Sequence, residues 1–88
     1  MPHELSHHHR NTIEEIFRTP TSHNVEWRKV RSLLDAVGEV EQEHNGKFIV
    51  YVGATPGMLH VPHGKDLDTR LVVDVRRLLE AAGLAPES

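Results

Sequence analysis

The sequence predicts a two-layer α+β domain: two amphipathic helices on one face of a three-stranded antiparallel sheet, with one extra helix in front. Three observations predict it. Trp27, Val30, Leu33, Leu34 and Val37 recur at helical period, and Gly38 follows them directly. Asn45-Gly46 is a turn signal, and the strand-forming run Lys47-Phe48-Ile49-Val50-Tyr51-Val52 comes straight after it. Leu71, Val75, Leu78, Leu79 and Ala82 form a second helical stripe, closed by Gly83.

Each element has its own local reason. Residues 1–10 are polar, histidine-rich and unpatterned, which reads as a flexible tail. The consecutive His7, His8 and His9 point in different directions and do not define a metal shell. Asn11 is a suitable N-cap with Glu14 at capping-box spacing, and Ile13, Ile16 and Phe17 share one face of a short helix. Arg18 to His23 reads as a connector, because Pro20 disfavours helix at Thr19. Asn24 reads as the N-cap of the next helix, with Glu26 in its first turn, and Gly38 as its C′ stop.

The hairpin register follows from burial. A two-residue loop would set Glu39, Glu41 and Glu43 opposite Val52, Val50 and Phe48, burying acids among apolar groups. A three-residue loop, His44-Asn45-Gly46 with Gly46 left-handed, pairs Val40 with Val50 and Gln42 with Phe48. That register sends Phe48, Val50 and Val52 to the core and Ile49 and Tyr51 to the outer face. Ala54-Thr55-Pro56-Gly57 reads as the next turn, and Met58 to Val61 as a short third strand with Leu59 and Val61 inward and His60 outward. Pro62 ends the ladder, and Asp66 or Asp68 caps the last helix. The organisation is therefore a tail over 1–10, a short helix and connector over 11–24, and one domain over 25–85.

Composition narrows the function. The chain has 88 residues, ten Lys or Arg, 13 Asp or Glu, eight His and no Cys, for a formal charge of −3. Zero cysteine removes disulfides, thiolate zinc sites and cysteine nucleophiles. No apolar run approaches membrane length, and the amino terminus has no apolar signal segment, so cytoplasm is the expected compartment. The acidic balance argues against a dedicated duplex binder, which is usually basic.

Four stretches between Trp27 and Leu84 carry a family likeness: Val30-Arg31-Ser32-Leu33-Leu34-Asp35-Ala36-Val37-Gly38, Asn45-Gly46-Lys47-Phe48-Ile49-Val50-Tyr51-Val52, Val61-Pro62-His63-Gly64-Lys65-Asp66-Leu67 and Leu78-Leu79-Glu80-Ala81-Ala82-Gly83-Leu84. Through them the chain resembles the HicA type of small RNA-targeting toxins of bacterial toxin–antitoxin systems. The resemblance implies a fold like the double-stranded-RNA-binding domain, an mRNA interferase activity, and a HicB-like antitoxin as partner. The family pattern Gly-Ser-His, whose histidine is taken as catalytic, reads Gly46-Lys47-Phe48 here. Phe48 cannot move a proton. Either another histidine takes that role or the protein does not cut RNA.

Metal-independent RNA cleavage needs a base, an acid and cationic donors. The candidates are His44, His60 and His63, with Lys47 and Lys65 as phosphate donors. Each has a plainer reading: a solvated turn for His44, a surface position for His60, a loop hydrogen bond for His63. His60 and His63 could form half a metal site, but no third ligand stands out, so neither metal nor cofactor is expected. Trp27 reads as core. Arg28, Lys29 and Arg31 form a basic cluster that is either a solvated helix face or a phosphate contact. Ile49 and Tyr51 on the outer sheet face mark a partner surface, for an antitoxin or for a homodimer. Two function classes follow: an mRNA-binding and cleaving toxin component, or a non-catalytic interaction module on the same fold.

Overall fold

The chain folds as α1 (His7–Ile16), α2 (Trp27–Val37), β1 (Gly38–Gln42), a short 3-10 turn (His44–Gly46), β2 (Lys47–Val52), β3 (Thr55–His60) and α3 (Thr69–Ala81) in a computed structural model. The structure describes residues 7–21, 25–61 and 68–86. The sheet is antiparallel in the order β1-β2-β3. Its helix-facing side carries Phe48, Val50, Val52 and Leu59, all buried. Val30, Leu33 and Leu34 of α2 and Leu71, Val72, Val75, Leu78 and Leu79 of α3 complete one core with them. Among the described residues no helix is long and apolar enough to cross a membrane.

The β1–β2 hairpin adopts the three-residue register, with Val40 opposite Val50 and Gln42 opposite Phe48. Asn45 and Gly46 are both left-handed, at φ of 62° and 74°, and Asn is among the residues that tolerate this conformation. The Glu43 amide donates to the Lys47 carbonyl at 2.7 Å, closing the loop. At the other end of the sheet the turn differs from expectation. Thr55, Pro56 and Gly57 belong to β3, and the turn is the pair Gly53-Ala54, since Val52 pairs with Thr55. Gly53 supplies the left-handed position at φ of 61°. Pro56 is tolerated because β3 is an edge strand.

Helix α3 is bounded as the sequence implies. Asp68 Oδ1 accepts the Leu71 amide at 2.8 Å, making Asp68 the N-cap. At the other end Gly83 is left-handed at φ of 79°. Its amide donates to the Glu80 carbonyl at 3.0 Å, and the Leu84 amide to the Leu79 carbonyl at 2.9 Å, a Schellman pair. Removing the N-cap with Asp68→Ala is expected to cost about 1 kcal/mol, a fall in Tm of roughly 4–8 °C by thermal melting.

The first half of the chain departs from expectation in three places. Helix α1 begins at His7, not after Asn11, so part of the expected tail is helical. Two contacts hold the added turn: within α1 Thr12 Oγ1 donates to the His8 carbonyl at 2.9 Å, and across to α2 His9 Nε2 lies 3.0 Å from Ser32 Oγ. Helix α2 begins at Trp27 with the extended Glu26 at the N-cap position, and Val25 just before it is fully buried. Asn24 lies outside the described residues. Gly38 does stop α2, but with extended backbone as the first residue of β1 rather than as a left-handed cap.

Helix α1 packs against α2 and α3 through Ile13 and Ile16, with Phe17 partly buried beside them. Its carboxyl end is held by Arg76 of α3. The guanidinium donates to the Ile16 carbonyl through Nε at 3.1 Å and Nη2 at 2.9 Å. It therefore satisfies a carbonyl that the end of a helix leaves open.

Candidate functional site

The site residues expected from sequence fall on two opposite sides of the domain. On the helical side, Arg28 and Lys29 of α2 line a groove between α1 and α2 with a volume of about 500 Å³. The α1 side brings His8, His9 and Arg18 to the same groove, together with Asn11, Glu14 and Glu15, while Ser32 of α2 lines the opposite wall. Cationic or protonatable groups some twenty residues apart in sequence thus face one concavity. Arg28 is strongly exposed and lies 3.5 Å from the Glu26 carboxylate, a contact worth little in water. The arrangement suits an extended polyanion: two exposed cations on one helix, a third across the groove, and imidazoles and an amide between them. Glu14 and Glu15 limit its net positive charge.

Arg31 does not join this groove. Its guanidinium lies 5.6 Å from the centre of the Phe48 ring and 4.0 Å from the Asp35 carboxylate. Phe48 is 5% exposed, with Trp27 tilted against it at a centroid distance of 4.8 Å. The position where the resemblance expects a catalytic histidine is therefore packed under α2, and Trp27 sits against the core as the sequence implies.

The open face of the sheet, away from the helices, holds the remaining candidates. Lys47 of β2 pairs with His60 of β3 at one end of the ladder, and His44 lies in the adjoining turn. Ile49 pairs with Met58 and with Glu41, and Tyr51 with Pro56 and with Glu39. Tyr51 and Met58 are the exposed large apolar residues among those described, at 40% and 53%. His63 and Lys65 lie outside the described residues, so the expected His60–His63 proximity does too. Among the described residues no three His, Asp or Glu side chains gather as a metal set.

Sequence reasoning missed His8, His9 and Arg18. The signal that could have found them is the apolar set Ile13, Ile16 and Phe17 read one turn further back. A helix packed on that face carries whatever precedes it alongside α2.

Comparison with protein-family models, with curated proteins and with solved structures finds no match to this chain.

Proposed function

We propose that the protein is a HicA-like component of a toxin–antitoxin pair that binds mRNA without cutting it. The α1–α2 groove carries the RNA-binding part of this reading, because it gathers Arg18, Arg28, Lys29, His8 and His9 around one concavity. Two further points support binding without cleavage. Phe48, at the family's catalytic position, is a buried hydrocarbon ring. The groove's cations also lie on the helical side, whereas His60 lies on the opposite face of the sheet.

The test is retention of a short fluorescein-labelled single-stranded RNA at low salt, followed by anisotropy and by gel. The intact protein is expected to bind with an affinity that falls as salt rises, and to leave the RNA whole. Arg28→Glu with Lys29→Glu is expected to weaken binding about 10–100-fold by replacing two phosphate donors with two repelling charges, while Tm changes little because both side chains are exposed. Binding unchanged by the double reversal overturns the groove. RNA cleavage that His63→Ala abolishes restores the nuclease reading.

A second reading has its own observation. Ile49 and Tyr51 lie on an uncovered sheet face, which favours a protein-binding module serving a HicB-like antitoxin or a homodimer. Both functions can reside in one chain, since the groove and the sheet face are on opposite sides.

A further inference from the structure

The open sheet face has a defined pattern of chemistry. Its centre is apolar: Ile49 and Tyr51 on β2, Pro56 and Met58 on β3. Along β1 runs an acidic flank of Glu39 and Glu41, both exposed, continued by Glu43 beyond the strand. Among the described residues neither Glu39 nor Glu41 has an ion-pair partner. Among the described residues Lys47 is the face's one Lys or Arg, and it stands at the hairpin end of β2 beside His60.

We propose that this face docks an amphipathic helix of a partner protein, with an apolar stripe over Ile49, Tyr51 and Met58 and lysines or arginines along the flank above β1. The proposal rests on the partner-face reading and is independent of RNA binding.

Charge, area and length select this occupant. A helix with basic residues on one flank matches the acidic row and leaves its apolar stripe for the centre. A second copy of this chain matches poorly. A two-fold axis sets β1 either on another β1, acid against acid, or on β3, which carries neither Lys nor Arg. The area points the same way. Three short strands present a surface on the order of 300 Å², which one helix covers and which is well below the roughly 800 Å² per partner of a stable interface between two folded domains. A five- or six-residue strand spans roughly 17–20 Å, the length of about 12 residues of helix.

RNA is the other polyvalent candidate, but an acidic flank repels phosphates. The groove on the helical side serves it better.

Two labelled helical peptides of equal length serve as probes, one built from leucine and lysine and one from leucine and glutamate. Anisotropy is expected to show the lysine peptide binding and the glutamate peptide binding at least about tenfold more weakly. Glu39→Lys with Glu41→Lys is expected to reverse that preference. Met58→Lys is expected to weaken the lysine peptide about tenfold, and thermal melting verifies that each exposed variant stays folded. The Arg28→Glu, Lys29→Glu protein is expected to bind the peptide as the parent does, which separates this test from the RNA reading.

Equal binding of both peptides, or a preference unmoved by the double Glu-to-Lys change, overturns the proposal. So does displacement of the peptide by single-stranded RNA, which would place RNA on the sheet. A sedimentation mass of two chains that falls to one in Tyr51→Lys also overturns it, by making a second copy the occupant.

Discussion

Gly38→Ala is expected to lower the melting temperature by roughly 12 °C or more, whereas Gly53→Ala lowers it by only about 4–8 °C. The two glycines are required for different reasons. Gly38 has extended backbone, so conformation alone does not demand glycine there. What demands it is space: a Cβ at Gly38 would collide with the Tyr51 carbonyl oxygen and press on the Val52 Cα at 2.9 Å. Both obstacles are backbone of the central strand. That strand is held by ladders on both sides, so it cannot move aside without breaking the pairing of β1 or β3. Overpacking against rigid structure costs about 3 kcal/mol, a large share of the 5–10 kcal/mol on the order of which a chain this size depends. Gly53 is the reverse case. Its φ of 61° is left-handed, but a Cβ there meets nothing within 4 Å, so alanine costs only the conformational term, about 1 kcal/mol. Melting curves followed by far-ultraviolet circular dichroism compare the two directly. Equal losses would mean that β1 can shift on β2 and that the collision is relieved.

The same glycine shows what the sequence could and could not convey. Gly38 after a helical stripe signals a stop, and the helix does stop there. That the next residue pairs at once with β2 is a tertiary fact, set by how closely α2 must hand over to the sheet. The hairpin register was legible because burial decides it: Glu39 and Glu41 cannot face Val50 and Val52 across the core. The caps of α3 were legible because Asp68 and Gly83 act on neighbours a few residues away. Pro56 misled because proline and glycine together suggest a turn, whereas an edge strand accommodates proline. The early histidines misled because polarity suggests a tail, whereas α1 gains its first turn from contacts with α2 that lie more than twenty residues away. Local chemistry was readable, and long-range contact was not. For that reason Arg28 and Lys29 could be named from the sequence but not the groove that surrounds them.

Arg76→Met is expected to destabilise the protein by about 2 kcal/mol, a fall in Tm of roughly 8–16 °C, and to weaken RNA binding as well. The guanidinium meets the Ile16 carbonyl twice, the Arg18 carbonyl at 3.4 Å and Thr21 Oγ1 at 3.3 Å. It also lies 6.0 Å from the centre of the Phe17 ring. A cation at a helix carboxyl end suits the helix dipole and pairs carbonyls that have no partner within the helix. Methionine retains much of the side-chain packing but donates nothing. The neighbouring Arg77, exposed on α3, serves as the control, and Arg77→Met should change stability by about 0.5 kcal/mol or less. Hydrogen exchange localises the effect: the α1 amides should lose protection in Arg76→Met while β2 and α3 lose only what the fall in global stability requires. The functional consequence follows from the groove. Helix α1 carries His8 and His9, and the chain just beyond it carries Arg18, so loosening α1 removes one wall of the groove and leaves Arg28 and Lys29 in place. RNA affinity should fall several-fold together with Tm, whereas the Arg28 and Lys29 reversal lowers affinity with Tm nearly constant. If Arg76→Met melts like the parent, the guanidinium does not anchor α1. If it melts lower but binds RNA equally well, the α1 wall of the groove has no part in binding.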